Sequence, residues 1–441
     1  MKRGTKLLYK KIFAGLLGGG MLFMPNWSYA LPSGGQVVTN NGTITAGGKV
    51  MDITGSGNVA IDWNSFNIAA DEIVNFKNMQ AVLNYVSGGS KSEIFGKLNG
   101  AGVNVFLVNP NGILFGKTAQ VNVGQLTAST RSLEKAALNS FNGSLSPLDA
   151  GGAANVKADI INLGKLKAGK LVLEGNNLSI IGSDSLEVAD KSKITLRAGE
   201  NINIGYEVTD KTTIDVGDGK GNTHQVSDYG KGGGDKASDV LSTASVTDLK
   251  GSAKSINDAM LVHDVYELQA IDRNTGTING SSYVVGNYML AGDIDAGDTK
   301  NWNSGRGFDP IGRLNRTGNG VTGSFSGAFD GICHSIQNLY IRQIGNQYDG
   351  YIGLFEGIGK GGSVGNVNMA GGHIEGTSNF GSIAGLNWGT IYNIVNSAEL
   401  VCSSGGVGGI VGTNGGVIRN AVNNGTLKID GRSGGITGYN G

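Results

Sequence analysis

The nine residues 385–393, GLNWGTIYN, return at 412–420 as GTNGGVIRN, and the shared frame Gly-x-Asn-x-Gly-x-Ile-x-Asn sets a period of 27 residues. Gly438-x-Asn440 opens a third copy, and Val395-Asn396 and Val422-Asn423 fall in step. Working backwards, Val364-x-Asn366 and Ile336-x-Asn338 extend the series, so that Asn338, Asn366, Asn393 and Asn420 follow at spacings of 28, 27 and 27. One coil of this length cannot bury its apolar side alone; stacked on its neighbours it can, which is the logic of a β-solenoid. The Ile/Val positions are expected to line an interior column, glycines to permit the corners, and the four asparagines to form an amide ladder at the strand spacing of about 4.7–4.9 Å.

The composition agrees with many short strands joined by tight turns. Gly is the outlier at 77 of 441 residues, against about 7% in average usage, while Pro stands at 5. With so little Pro and no Gly-X-Y period the chain is not collagenous. Thirty-five Lys+Arg balance thirty-five Asp+Glu, so charge implies neither a nucleic-acid partner nor an anionic surface. From 31 to about 205 the sequence is a run of short apolar groups cut by Gly, Asn and Ser, with alternation such as Asn201-Ile202-Asn203-Ile204 placing Ile inward and Asn outward. Taken alone, this region fits a sandwich, a barrel or a solenoid.

Residues 1–30 read as a signal peptide. Lys2, Arg3, Lys6, Lys10 and Lys11 make a basic start, residues 12–24 an apolar stretch, and Ser28-Tyr29-Ala30 a small-residue cleavage site with Leu31 as the new terminus. The apolar stretch falls short of the roughly 20 residues that span a bilayer. The reading implies export by the Sec machinery.

In VNVFLVNPNGILFGKTAQVNVG, residues 103–124, two alternating strand patterns flank Asn109-Pro110-Asn111-Gly112. Asn109 can bond forward through its side chain, Pro110 presets φ, and Gly112 closes a type I turn. Beyond 205 a polar stretch, 206–280, is expected to be a linker. Within it Leu261, Val265, Leu268 and Ile271 stand near helical spacing, a short amphipathic helix that would cover the open end of a second solenoid at 281–441.

Together the segments LPSGGQVV, IDWNSFNI, EIVNF, VLNYVSGG, SEIFGKLN and VNVFLVNPNGILFGKTAQVNVGQLTAST, with KITLRAGENINIG after them, closely resemble the secretion domain of filamentous-haemagglutinin-like exoproteins. The resemblance implies a right-handed parallel β-helix over 31–205 and passage through a partner outer-membrane barrel transporter with periplasmic docking domains. It also associates Asn109, Pro110, Asn111 and Gly112 with secretion competence. The segments SYVVGNYMLAGDIDA, WNSGRGFDPIG, FSGAFDGICHSIQNLYI and GLFEGIG, with the 27-residue repeats, resemble a Gly-rich surface-protein module named for Gly-Leu-x-Gly. There Cys333 stands where Gly or Asn is commoner, and Ile383, Ile410 and Ile436 replace Leu. An adhesin- or haemagglutinin-like exoprotein acting on a host or neighbouring-cell receptor follows. Two alternatives stay open: the leading part of a contact-dependent toxin delivery protein, and a polysaccharide-active β-helix.

No constellation points to catalysis, a cofactor or a metal. His224, His263, His334 and His373 are far apart, without an HExxH frame. In the Asp293 to Asp298 run Gly297 occupies a position that a calcium loop gives to a ligand. The glycine runs 217–221 and 230–234 lack a phosphate-binding ending. Trp63 and Phe66 read as packing. Cys333 and Cys402 form no framework, and the repeated polar position is Asn rather than an acid, against an enzyme. The chain stops at the opening of a coil, so either a fragment of a longer protein or a truncated gene is expected.

Overall fold

A computed structural model describes residues 31–146, 148, 155–215, 221–317, 320–343, 350–377, 379–402 and 406–441. The signal segment, Ala30 included, and residues 217–220 of the first glycine run lie outside them.

Three strand columns turn the first part of the chain into a parallel β-helix. The first face stacks Val74, Leu98, Val121, Leu166 and Leu186 in register. On the second, Val59, Val82, Val105, Leu126, Leu171 and Ile194 stack; the third carries Ile113, Ile160, Leu178 and Ile202. All of these side chains are buried. Period-2 alternation turns the β-branched and Leu residues inward, and each contributes about 1.5–3 kcal/mol on burial. Trp63 and Phe66 belong to this core, packed edge to face at 5.5 Å.

The leading edge does not stay open. Gln36–Val37 pairs antiparallel with Asn58–Trp63, and Gly42–Gly47 pairs antiparallel with Val50–Gly55. These antiparallel additions occupy the free edge of the first coil, a standard defence against edge-to-edge association. Leu31 packs against the same core.

Residues 206–280 are threaded into the stack rather than set apart from it. Asn257–Val262 pairs with Ile202–Tyr206 through its first half and with Asn287–Leu290 through its second, so the third face runs on into the later coils. Leu261, expected in the helix, lies in this strand; the helix is Val265–Ala270, started by Asp264, whose Oδ1 accepts from the amides of Tyr266 and Glu267. Outside the coils, Lys211–Asp215 and Thr223–Ser227 form an antiparallel hairpin. It is tied to the helix by Glu267, a buried carboxylate accepting from Ser227 Oγ at 2.7 Å and His263 Nδ1 at 2.9 Å.

From Asn287 onward parallel pairing continues, with Tyr288, Phe329, Val364, Ile391 and Ile418 in one column. Strands Tyr340–Gln343, His373–Gly376, Glu399–Cys402 and Leu427–Ile429 stack beside it, as do Phe355–Ile358, Ala384–Asn387, Val411–Asn414 and Thr437–Asn440. Its core is separate from that of the first coils.

Candidate secretion determinant

The turn at 109–112 is a corner, not a hairpin. The strand before it, Lys97–Val108, lies on the first two faces; the strand after it, Ile113–Phe115, belongs to the third and pairs with Ser92–Ile94 and Ile160–Asn162. Alternation on both sides shows that strands flank the turn, but only coil stacking separates them into different sheets.

Asn109 is the buried pivot of this corner, with no solvent exposure. Its Oδ1 accepts from the Asn111 amide at 2.9 Å, the forward side-chain bond that the sequence suggests, and the Gly112 amide donates to the Asn109 carbonyl at 3.1 Å. Its Nδ2 reaches the preceding coil, donating to the Ser90 carbonyl and to Ser92 Oγ, each at 3.0 Å. Asn111 is exposed, and its Nδ2 donates to the Gly88 carbonyl at 2.7 Å. Gly112 has φ of +110°, where a side chain would be strained, and a Cβ there would lie 3.3 Å from the Asp159 carbonyl. The corner is thus a rigid loop tied to the coil beneath, with Pro110 and Asn111 at its tip.

Three partners of this corner escaped the sequence reading. Ser90 and Ser92 hold Asn109 from one coil below, and the Ile113 amide donates to the Asp159 carbonyl one coil above. Asp159 then starts a side-chain ladder: its Oδ1 accepts from the Asn177 amide and Nδ2, each at 3.0 Å, and Asn177 Oδ1 accepts from Asn201. Burial raises the carboxyl pKa of Asp159, and the bonds from Asn177, Asn176 and Asn393 oppose that rise. Residues 130–146 after Ser129 lie outside the coil strands. They are anchored by Arg131, whose Nε and Nη2 donate to the two oxygens of buried Glu174 at 2.7 Å.

The expected Asn ladder is three rungs long rather than four. Asn420 Nδ2 donates to Asn393 Oδ1 at 3.1 Å, and Asn393 Nδ2 to Asn366 Oδ1 at 2.9 Å. All three have φ between 51° and 54°, the left-handed corner conformation that Asn tolerates best after Gly. Asn338 also has positive φ, but it lies outside the ladder and donates to Asp295 Oδ1 at 3.2 Å. The reason is coil length: Phe329, not Ile336, lies opposite Val364, and Ile336 pairs with Met369. Asn366 instead caps the ladder on Asp330 Oδ1 at 2.8 Å. Asn387, Asn414 and Asn440 form a second ladder at 2.7 and 2.8 Å.

Asp295 accepts from the Gly297 amide at 3.0 Å, closing a turn. Among the described residues no group of three or more His, Cys, Asp or Glu side chains is arranged to hold a metal ion. Cys333 and Cys402 are buried and not joined in a disulfide. The backbone at Cys333 has φ of 67°, which explains why Gly or Asn suits this position better.

A family model for the TPS secretion domain matches residues 28–295, past 205 and through the whole of the stretch expected as a linker. The chain is 33% identical over 177 residues to a heme/hemopexin-binding protein of Haemophilus influenzae, 39% of this chain and 19% of that protein. It is 28% identical over 282 residues to halomucin of Haloquadratum walsbyi, 64% of this chain and 3% of halomucin. The HMW1 secretion domain of Haemophilus influenzae aligns with 90% of this chain and 100% of its own at 14% identity and a TM-score of 0.27. The chain spans about a fifth or less of the length of these curated relatives.

Proposed function

The chain belongs to the TPS secretion domain family, exoproteins exported by two-partner secretion, and from that premise we propose that the corner at 109–112 is the element its outer-membrane transporter reads. In this reading the chain crosses the inner membrane through the Sec machinery, loses residues 1–30 between Ala30 and Leu31, and meets periplasmic docking domains of the barrel with the coils around the corner formed and the rest of the chain still unfolded. The observation that carries the proposal is the division of labour in the corner. Asn109 is wholly internal, whereas Asn111 stands exposed at a tip whose shape is fixed by bonds to the coil below. The fixed tip supports recognition, and the internal Asn supports early closure of the first coils, which would oppose backsliding once they re-form outside.

Beyond the secretion domain we read the protein as a non-enzymatic, adhesin-like exoprotein whose later coils, a Gly-Leu-x-Gly-type repeat region, form a stalk or display surface for a cell-surface receptor. The repeated polar residue in the sequence there is Asn rather than an acid. The test is secretion from cells carrying the barrel partner. Asn111→Ala should lower the secreted yield at least tenfold, with the precursor or periplasmic form accumulating. Unchanged secretion in a strain where the partner is still required would reduce the corner to architecture.

A further inference from the structure

The four-stranded sheet of the later coils that begins with Tyr340–Gln343 carries, on its outward side, a side-chain array that neither the secretion corner nor the Asn ladders use. Ile341, Ile374 and Leu400 are buried in the core, so alternation turns Tyr340, His373 and Glu399 outward in register. The Tyr340 and His373 rings stack, with centroids 5.4 Å apart and planes 18° from parallel. His373 Nδ1 meets Glu399 Oε2 at 3.0 Å, and Glu399 is held in turn by Lys428 at 2.5 Å. The rings are thus fixed before anything binds, which lowers the ordering cost of a ligand. At the head of the sheet the short turn Gly297–Asn301 is pinned beside them. The Tyr340 amide donates to Thr299 Oγ1 at 3.0 Å, and the Ala296 amide to the Gln337 carbonyl at 2.8 Å. Turn and rings flank an open hollow of about 460 Å³ lined by Asp295, Asp298, Lys300, Asn338, Tyr340 and His373. Asn338, left out of the Asn ladder, sets its amide against Asp295 here. Among the described residues no hydrogen bond or ion pair engages the side chain of Asp298 or Lys300.

We propose that this hollow is a saccharide-binding site that takes a short stretch of a neutral glycan, an inference that rests on the reading of the later coils as a display surface and names what that surface would hold. The volume falls within the range of small-molecule sites, about 300–1,000 Å³. Aromatic rings take the C–H faces of pyranoses, while carboxylates accept from sugar hydroxyls and amide or ammonium groups donate to them. The hollow presents both kinds of group: two fixed rings, and beside them two carboxylates, an amide and one ammonium. Two carboxylates against one lysine disfavour sialylated or sulfated chains. A peptide is a poorer match, because no aliphatic side chain lines the hollow to take an apolar anchor. A cation is poorer still, since Asp295 Oδ1 already accepts from the Gly297 amide and from Asn338.

The test is a printed array of neutral hexose and N-acetylhexosamine chains, beside sialylated and sulfated ones, probed with the purified mature chain. Retention on neutral chains is expected. Asp298→Ala, which alters an exposed side chain outside the core, should weaken the best neutral chain at least tenfold in a calorimetric titration and leave the unfolding temperature unchanged. Tyr340→Ala should weaken it as much, whereas Tyr340→Phe, which keeps the ring, should stay within a few-fold of the parent. An array blank for neutral chains, retention of anionic chains alone, or affinity untouched by Asp298→Ala and Tyr340→Ala would overturn the site. Adherence of the same chain to cells tests the display reading separately. Adherence that both variants leave intact would keep that reading and strike the hollow, whereas variant-sensitive array binding without adherence would keep the hollow and strike the receptor.

Discussion

Four hydrogen bonds converge on the Asn109 side chain, two given and two received. Replacing it by Ala strands Ser92 Oγ in a buried position, at about 1–3 kcal/mol for the unsatisfied group, while the Ser90 carbonyl and the Asn111 amide, at exposed residues, turn to water. Asn109→Ala should therefore lower the denaturant midpoint clearly, and Asn111→Ala, exposed and tied by one main bond, by about 1 kcal/mol or less. The same logic sorts the ladder residues. Both Asn393→Ala and Asn338→Ala place Ala at positive φ, but the first also breaks bonds to Asn366, Asn420 and Asp159 where the second removes one exposed contact, so unfolding curves should move further for the first. Asn109 was legible because its first bond is local: Asn, Pro and Gly in these positions specify the turn whatever surrounds it. Ser90, Ser92 and Asp159 were not, since only stacking brings them beside it. Asn338 shows how a correct motif is misplaced when one coil is longer than its neighbours.

Among the elements, the hairpin of residues 211–227 is held to the helix Val265–Ala270 by an ionic cluster that gives the fold a defined pH window. The hydrogen bond to Glu267, with Glu207 nearby, raises His263 to about 9. Burial pushes Glu267 up, but the bonds from His263 and Ser227 outweigh it and bring the carboxyl to about 2. His263 is held more tightly protonated in the folded chain, so its contribution is complete below its ordinary value of 6.5 and fades as pH rises through about 9. Glu267 works in the opposite sense, complete above 4.5 and lost as pH falls toward 2. Amide exchange in Thr223–Ser227 should accordingly be flat from about pH 5 to 6, once corrected for intrinsic rates, and lose protection above about pH 9; Glu267→Gln should remove that alkaline step. Low apolar content made 206–280 look like a linker. Val226 and Tyr229 are nevertheless buried, and what orders the segment is a carboxylate far along the chain, a signal with no sequence period.

For the whole molecule, the parallel β-helix follows from a short list of local rules: inward Val, Leu and Ile in register, Gly or Asn where φ is positive, and antiparallel strands over the leading edge. The 27-residue period made this architecture readable from 364 onward, because there the coils are uniform. Over the first coils, excursions such as the one anchored by Arg131 and Glu174 break the period, and the resemblance of motifs carried what periodicity could not. The folding back of later coils onto the third face rests on contacts between residues more than a hundred positions apart, such as Ser179 with Asp330, and no pattern in the sequence announces it. The central claim is that the corner at 109–112 is read by the transporter rather than needed only for folding. Asn162 offers a matched control: it is equally buried, bonds Ser185 Oγ at 3.0 Å and accepts from the Gly164 amide, but lies at a different corner. The decisive measurement is secreted yield against unfolding midpoint for Asn109→Ala, Asn111→Ala and Asn162→Ala in the presence of the partner. The account predicts that Asn162→Ala loses stability yet is exported, while Asn111→Ala keeps stability and is not; export that tracks stability across all three would contradict it.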